Sequence, residues 1–197
     1  MPGYSYTNIA ATTAAVTNRI VASANMKVGA YTIANASPVW QGGALITVTH
    51  TQVGGVTDTL GTIVVVGRDL SGQTITETIT PLDGTVATST KIFRSVTSVT
   101  GVGWVIDTTA DTIVVGVAAG SYPLSGSGVF RAVVVNTTAA AAVTISDARG
   151  TIATLKASIG ENTYYYDISV AGYLKVATTS TNDITVIHAP SLPQSYA

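Results

Sequence analysis

The stretch Gly61–Pro81, GTIVVVGRDLSGQTITETITP, decides the fold class. Ile63–Val66 is a β-branched run, which packs well on a pleated sheet and poorly in a helix. Thr74–Thr80 then alternates Thr/Ile/Thr/Glu/Thr/Ile/Thr, the period-two pattern of a strand whose two faces meet different surroundings. Asp69-Leu70-Ser71-Gly72 lies between them. Asp at the start of a tight turn bonds the backbone ahead of it, and Gly at the end supplies the left-handed residue that closes a hairpin. The stretch is therefore a β-hairpin, and the chain is expected to be all-β.

The bulk numbers support that reading and narrow the function. Hydrophobic residues make up 46% of the 197-residue chain, ample for a core. Charged residues make up 10%, against roughly 25% in an ordinary soluble domain. A surface of Thr, Ser, Asn and Gly solvates strands and is cheap to cover, because few charges must be stripped of water. The formal net charge is -1, and Arg and Lys are scattered singly. No bulk attraction to nucleic acid or an anionic membrane is expected. There are no cysteines, so disulfides and thiolate metal sites are excluded. No apolar run is long enough for a membrane helix, and the first residues lack the basic start and apolar block of a secretory signal.

Strand signals recur near Leu45–Thr51, Thr62–Arg68, Thr74–Thr80, Lys91–Thr100, Trp104–Ile106 and Thr112–Val117, separated by turn signals that include Gly54-Gly55. Short strands with frequent turns predict an antiparallel sandwich of immunoglobulin-like type over residues 38–119. Residues 1–37 have a weaker pattern, with a first strand near Gly29–Ala34. They are expected to form an extended N-terminal arm, Tyr4 and Tyr6 anchoring it on a neighbouring subunit. Ile9 fits the same helix face as Val16 and Ile20, but the surrounding threonines disfavour a helix. Residues 120–128, GSYPLSGSG, read as a linker. Strands at Val129–Val135, Ala142–Ser146, Thr151–Ala157, Thr163–Ile168, Tyr173–Ala177 and Asp183–His188 predict a second, smaller sandwich over 129–189, with a tail at 190–197. Thus the expected fold is two antiparallel sandwiches in tandem behind an arm.

The second half echoes the first. Asp147–Gly150 repeats the Asp-x-x-Gly turn of Asp69–Gly72. Gly172–Thr179 followed by Asp183–Val186 echoes Gly103–Thr109 followed by Asp111–Val115, and Tyr165–Ile168 matches Phe93–Val96. A tandem pair of related units explains the preserved order. The alternative is one sandwich plus an unrelated β unit.

No catalytic constellation is visible. His50 and His188 stand in Thr/Val strands, outside any metal-binding spacing, and read as structural or surface residues. No phosphate-binding or nucleophile motif is present. Most aspartates fall in turns, where Asp bonds its own backbone. Asp107 and Asp111 are the one pair placed to contribute to a calcium site. No enzyme activity, cofactor or metal is expected. Glu77 shares strand parity with Ile75 and Ile79. It stands at a sheet margin, or in the core beside Arg68 or Arg94, or against another subunit. In Tyr164-Tyr165-Tyr166, alternation sends Tyr165 to one face and its neighbours to the other. Tyr4, Tyr6, Ile9, Glu77, Tyr164 and Tyr166 are the candidate interface residues.

ITVTHTQVGGVTDTLGTIVVVGRDLSGQTITETITPLDG (residues 46–84), followed by KIFRSVTSVTGVGWVIDTTADTIVVGVA (residues 91–118), resembles small virion structural proteins of tailed bacteriophages. The residues that carry the likeness are Gly61-Thr62, Gly67, Asp69, Gly72, Ile75-Thr76-Glu77 and Lys91–Thr100. Phe130–His188 is similar to β modules of phage head and tail proteins. The resemblance implies a non-enzymatic building block, a capsid decoration (cement) protein that binds the major capsid protein from outside. It implies self-association, as a homotrimer, and location on the virion exterior after a soluble stage in the host cytoplasm. A neck or tail component, and a host-binding adhesin, are the alternatives.

Overall fold

The structure, a computed structural model, describes residues 3–11, 16–26, 28–34, 42–53, 58–106, 110–137, 139, 141–178 and 181–191. Among these there is no helix, and the all-β expectation holds. Sixteen strands follow in chain order. The first nine are β1 (Ser5–Ala11), β2 (Val16–Asn25), β3 (Gly29–Ala30), β4 (Ile46–Thr51), β5 (Thr62–Arg68), β6 (Thr74–Ile79), β7 (Val86–Thr88), β8 (Ser95–Val102) and β9 (Thr112–Val117). The rest are β10 (Ser121–Ser125), β11 (Gly128–Val135), β12 (Val143–Asp147), β13 (Gly150–Leu155), β14 (Asn162–Val170), β15 (Tyr173–Thr178) and β16 (Thr181–Pro190).

The chain forms two units. One is continuous, Ala14–Ala119; the other is split, Met1–Thr13 with Gly120–Ala197. The expected tandem is thus an insertion: the chain begins one unit, builds the other completely, then returns to finish the first. The expected arm does not stand apart. β1 is a strand of the split unit, whereas β2 and β3 belong to the continuous one. The expected linker is also structured, since Ser121–Ser125 is β10. Gly54-Gly55, Asp107 and residues 192–197 of the expected tail lie outside the described residues.

Each unit contains two four-stranded antiparallel sheets. The continuous unit has the orders β2-β9-β4-β7 and β3-β8-β5-β6; the split unit has β1-β16-β11-β14 and β10-β15-β12-β13. Numbered within its own unit, each pair of sheets reads first-eighth-third-sixth and second-seventh-fourth-fifth. That is the jelly-roll order. It replaces the immunoglobulin-like expectation, because an immunoglobulin sandwich pairs its first strand with its second. Here the first strand pairs with the last, β1 with β16 and β2 with β9.

The identical order in both units gives the internal repeat a structural basis. Asp69–Gly72 and Asp147–Gly150 both turn the fourth strand into the fifth. Asp69 Oδ1 accepts the Ser71 and Gln73 amides, and Asp147 Oδ1 accepts the Arg149 amide. Asp111 and Asp183 both mark the start of an eighth strand. Two other sequence echoes do not superimpose. Gly172–Thr179 covers a seventh strand, whereas Gly103–Thr109 follows one; Tyr165–Ile168 lies in a sixth strand, whereas Phe93–Val96 opens a seventh.

Alternation builds the two cores. In the continuous unit Val48, Val115 and Val21 of one sheet share a core with Ile63, Val65 and Val99 of the other. In the split unit Ile9, Phe130, Val133 and Val186 share one with Val143, Ile145, Leu174 and Val176. The hairpin at Gly61–Pro81 is the β5–β6 ribbon, in register from Ile63↔Ile79 to Arg68↔Thr74. Gly67 is required there by close approach: a Cβ on it would lie 2.1 Å from the Ser95 carbonyl oxygen and 2.8 Å from the Phe93 ring. No helix among the described residues is long and apolar enough to cross a membrane.

Candidate binding face

Among the described residues, titratable side chains converge around His50. Its Nε2 lies 2.8 Å from Asp111 Oδ2 and its Nδ1 lies 3.1 Å from Asp83 Oδ1. The Asp111 carboxylate also accepts the amides of Val53 and Asp58, and the Asp111 amide donates to Asp58 Oδ2 at 2.8 Å. Burial raises the Asp111 pKa, but the Val53 amide, the His50 bond and the Asp58 amide outweigh it and hold the carboxyl below its usual range. His50 and Asp111 are both buried. This cluster ties the loops flanking β4 and β9 together, the structural role expected of His50. Among the described residues no group of three or more His, Cys, Asp or Glu is placed to hold a metal.

The exposed aromatic residues gather elsewhere, on the outer face of β1-β16-β11-β14. The register aligns Tyr6, Ile187, Ala132 and Tyr165 in one row across the four strands. At about 4.8 Å per strand the row spans about 14 Å. Tyr6 is 69% exposed and Tyr165 68%. The next row is Asn8, Thr185, Val134 and Thr163. Against β16 a bulge between Phe130 and Ala132 leaves Arg131 as the extra residue, whereas on the other side β14 sets Tyr166 and Asp167 opposite it; a bulge re-aims the side chain it carries. The Arg131 guanidinium lies 5.5 Å from the Tyr4 ring centre and 6.0 Å from that of Tyr165, within reach of a cation–π attraction. It also pairs with Asp167, which holds the guanidinium in its charged form. Half-exposed Val129 adjoins it in β11.

The carboxylates of the face have hydrogen-bonding partners. Asp167 has Arg131, and Asp183 Oδ1 accepts Asn8 Nδ2 at 3.0 Å and Asn136 Nδ2 at 2.9 Å. Those two bonds, Asn136 first, lower the Asp183 pKa. A partner covering this face therefore meets aromatic rings and satisfied polar groups.

The candidate interface residues separate accordingly. Tyr4 and Tyr6 are on this face. Ile9 is not: it is fully buried in the core of the split unit, because it alternates with Asn8 and so points inward. Tyr164 and Tyr166 also point inward. Tyr166 stacks on Phe130 with centroids 4.9 Å apart, and the Tyr164 hydroxyl donates to the Gly160 carbonyl. Burial raises the Tyr166 pKa. The exposed member of the triplet is Tyr165. Glu77 sits at a sheet margin on edge strand β6. Its Oε1 accepts the Thr90 amide and hydroxyl and its Oε2 accepts the Lys91 amide, so it pins the chain at 90–91. Arg131 and Tyr165 were missed as face residues. The Tyr triplet gave the alternation, and the signal for the core side was the parity that Tyr164 and Tyr166 share with Ile168 and buried Val170. Comparison with protein-family models, with characterised proteins and with solved structures returns no match.

Proposed function

We propose that this chain is a non-enzymatic structural protein of a tailed-phage virion, a decoration protein on the outer surface of the capsid. The outer face of β1-β16-β11-β14 is its docking surface for the major capsid protein. The observation that carries the reading is that face: Tyr4, Tyr6 and Tyr165 exposed around Arg131, whose charge is paired with Asp167. Tyr and Arg dominate the energetics of protein interfaces, and paired charges lower the penalty of covering them. The resemblance of residues 46–118 to phage virion proteins points the same way, as does the jelly-roll order, an architecture common in viral capsids. The mechanism is stapling by many identical contacts: each copy covers lattice surface, and repetition multiplies a modest single-site affinity.

The test is add-back of purified protein to capsids that lack it, with co-sedimentation as the readout. Tyr6→Ala and Tyr165→Ala should each weaken binding more than tenfold, about 1.4 kcal/mol or more. Wild-type protein that sediments only with tails or necks would refute the decoration role. A second reading, a host-binding adhesin, is favoured by the polar group Asn8, Asp183 and Asn136 beside the tyrosines, since sugars are bound by aromatic rings with flanking hydrogen-bonding groups. It predicts glycan or cell binding by the free protein.

A further inference from the structure

β1 is the first strand of the split unit, yet residues 14–119 all intervene before that unit resumes. Among the described strands β1 is also an edge strand, hydrogen-bonded to β16 alone, from Ser5↔His188 to Ala11↔Thr181. What the unit gains from it is specific. Ile9 fills the core, Thr7 Oγ1 meets His188 Nε2 at 3.0 Å, and Asn8 Nδ2 meets Asp183. His188 is buried and its Nδ1 has no hydrogen-bonding partner among the described residues, so Thr7 supplies the polar contact its ring has across this edge. Without β1 the eight-stranded order would lack its first strand and expose the β16 edge, the kind of template that accepts a strand from another chain.

We propose that residues 5–11 are exchangeable, so that β1 of one copy completes the split unit of a second copy by pairing antiparallel with that copy's β16. Every contact named above is preserved in the exchanged form. The balance is then set by chain concentration against the entropy of closing the strand onto its own chain. Exchange makes the aromatic face composite: Tyr4 and Tyr6 come from one chain, and Arg131, Ile187 and Tyr165 from the other. It does not depend on what that face binds.

The chain has no cysteine, so introduced thiols report without background. Asn8 and Thr185 are register partners on the outer face. Full-length Asn8→Cys and Thr185→Cys chains are refolded together in equal amounts, oxidised gently, and run on a non-reducing gel with peptide mapping. The expected product is a heterodimer linked between positions 8 and 185, whose yield falls as the refolding concentration is lowered. Wild-type protein, measured by light scattering after size exclusion, should carry a dimer or larger species with the same concentration dependence, which guards against a variant that folds poorly. The proposal is overturned if wild type stays monomeric at every refolding concentration. It is equally overturned if no 8–185 link forms between the two singly substituted chains at any refolding concentration.

Discussion

Ile9→Ala tests whether β1 belongs to the split unit. Ile9 is fully buried among the core residues of that unit. Truncation removes three carbons, about 2.4 kcal/mol at about 0.8 kcal/mol per methylene. The residual cavity raises this to about 2.5–4 kcal/mol. With a urea slope of about 1–1.5 kcal/mol/M for a unit of this size, the midpoint falls by about 2–4 M. The chain's own chromophores separate the units once Tyr31, in the core of the continuous unit, is replaced by Phe in the reference and variant chains alike. Both tryptophans lie in residues 14–119, and Trp104 is in the core of the continuous unit. Tyr4, Tyr6, Tyr122, Tyr164, Tyr165, Tyr166 and Tyr173 lie in the split unit. Urea unfolding is therefore followed by tryptophan fluorescence and by near-UV tyrosine dichroism. The tyrosine transition should shift and the tryptophan transition should stay in place, since the two cores share no residue. An unshifted tyrosine transition, or an equal shift of both, would refute the placement of β1.

Three further predictions concern single groups. Bonds from the Arg149 guanidinium, against burial and with help from the Ala171 and Arg149 amides, hold the Asp147 carboxyl at about 2, below its ordinary 3.8. A depressed carboxyl stabilises the fold above its unfolded value and loses that contribution as pH falls from 3.8 through about 2. About 1.4 kcal/mol per unit sets a ceiling near 2.5 kcal/mol. Arg149 is 58% exposed, so screening reduces this, and Asp147→Asn should cost about 1–2 kcal/mol in chemical unfolding at neutral pH. Burial lowers the His188 pKa below 6.5. Its unfolded form binds the proton first, so stability is full above 6.5 and declines as pH falls through the window below it. His188→Gln should flatten the split unit's unfolding midpoint between about pH 7 and about pH 5, and an unchanged slope would count against this. Gly67→Ala should destabilise the continuous unit by about 2 kcal/mol or more through its clash with the Ser95 carbonyl, read as a drop in the tryptophan-monitored midpoint.

Strands were legible where one face is core and the other wet. β4, β5, β6, β9 and β11–β16 are rich in β-branched or aromatic residues and were read close to their bounds. The misses are edges. β10 contains Pro123 and sits among Gly and Ser, so it read as a linker; at a sheet edge a missing amide costs no ladder bond. β1 and β2 are Ala- and Thr-rich edge strands whose partners lie far along the chain, and local periodicity carries no information about such pairing. Trp104–Ile106 looked like a strand but makes only the isolated bridge Thr59↔Val105. At the candidate face, Tyr4 and Tyr6 were legible as exposed aromatics of a polar segment. Arg131 was not, because a bulge in β11 inverts the parity that residue counting assumes, and Tyr165 was not because its two neighbours are tyrosines too.

Imaging of the intact virion tests the proposed role most directly. The account predicts density for two jelly-roll units repeated over the outer capsid surface, with the β1-β16-β11-β14 face turned toward the major capsid protein. Density for this chain confined to the neck, the tail or a host-binding fibre, with a bare shell, would contradict it.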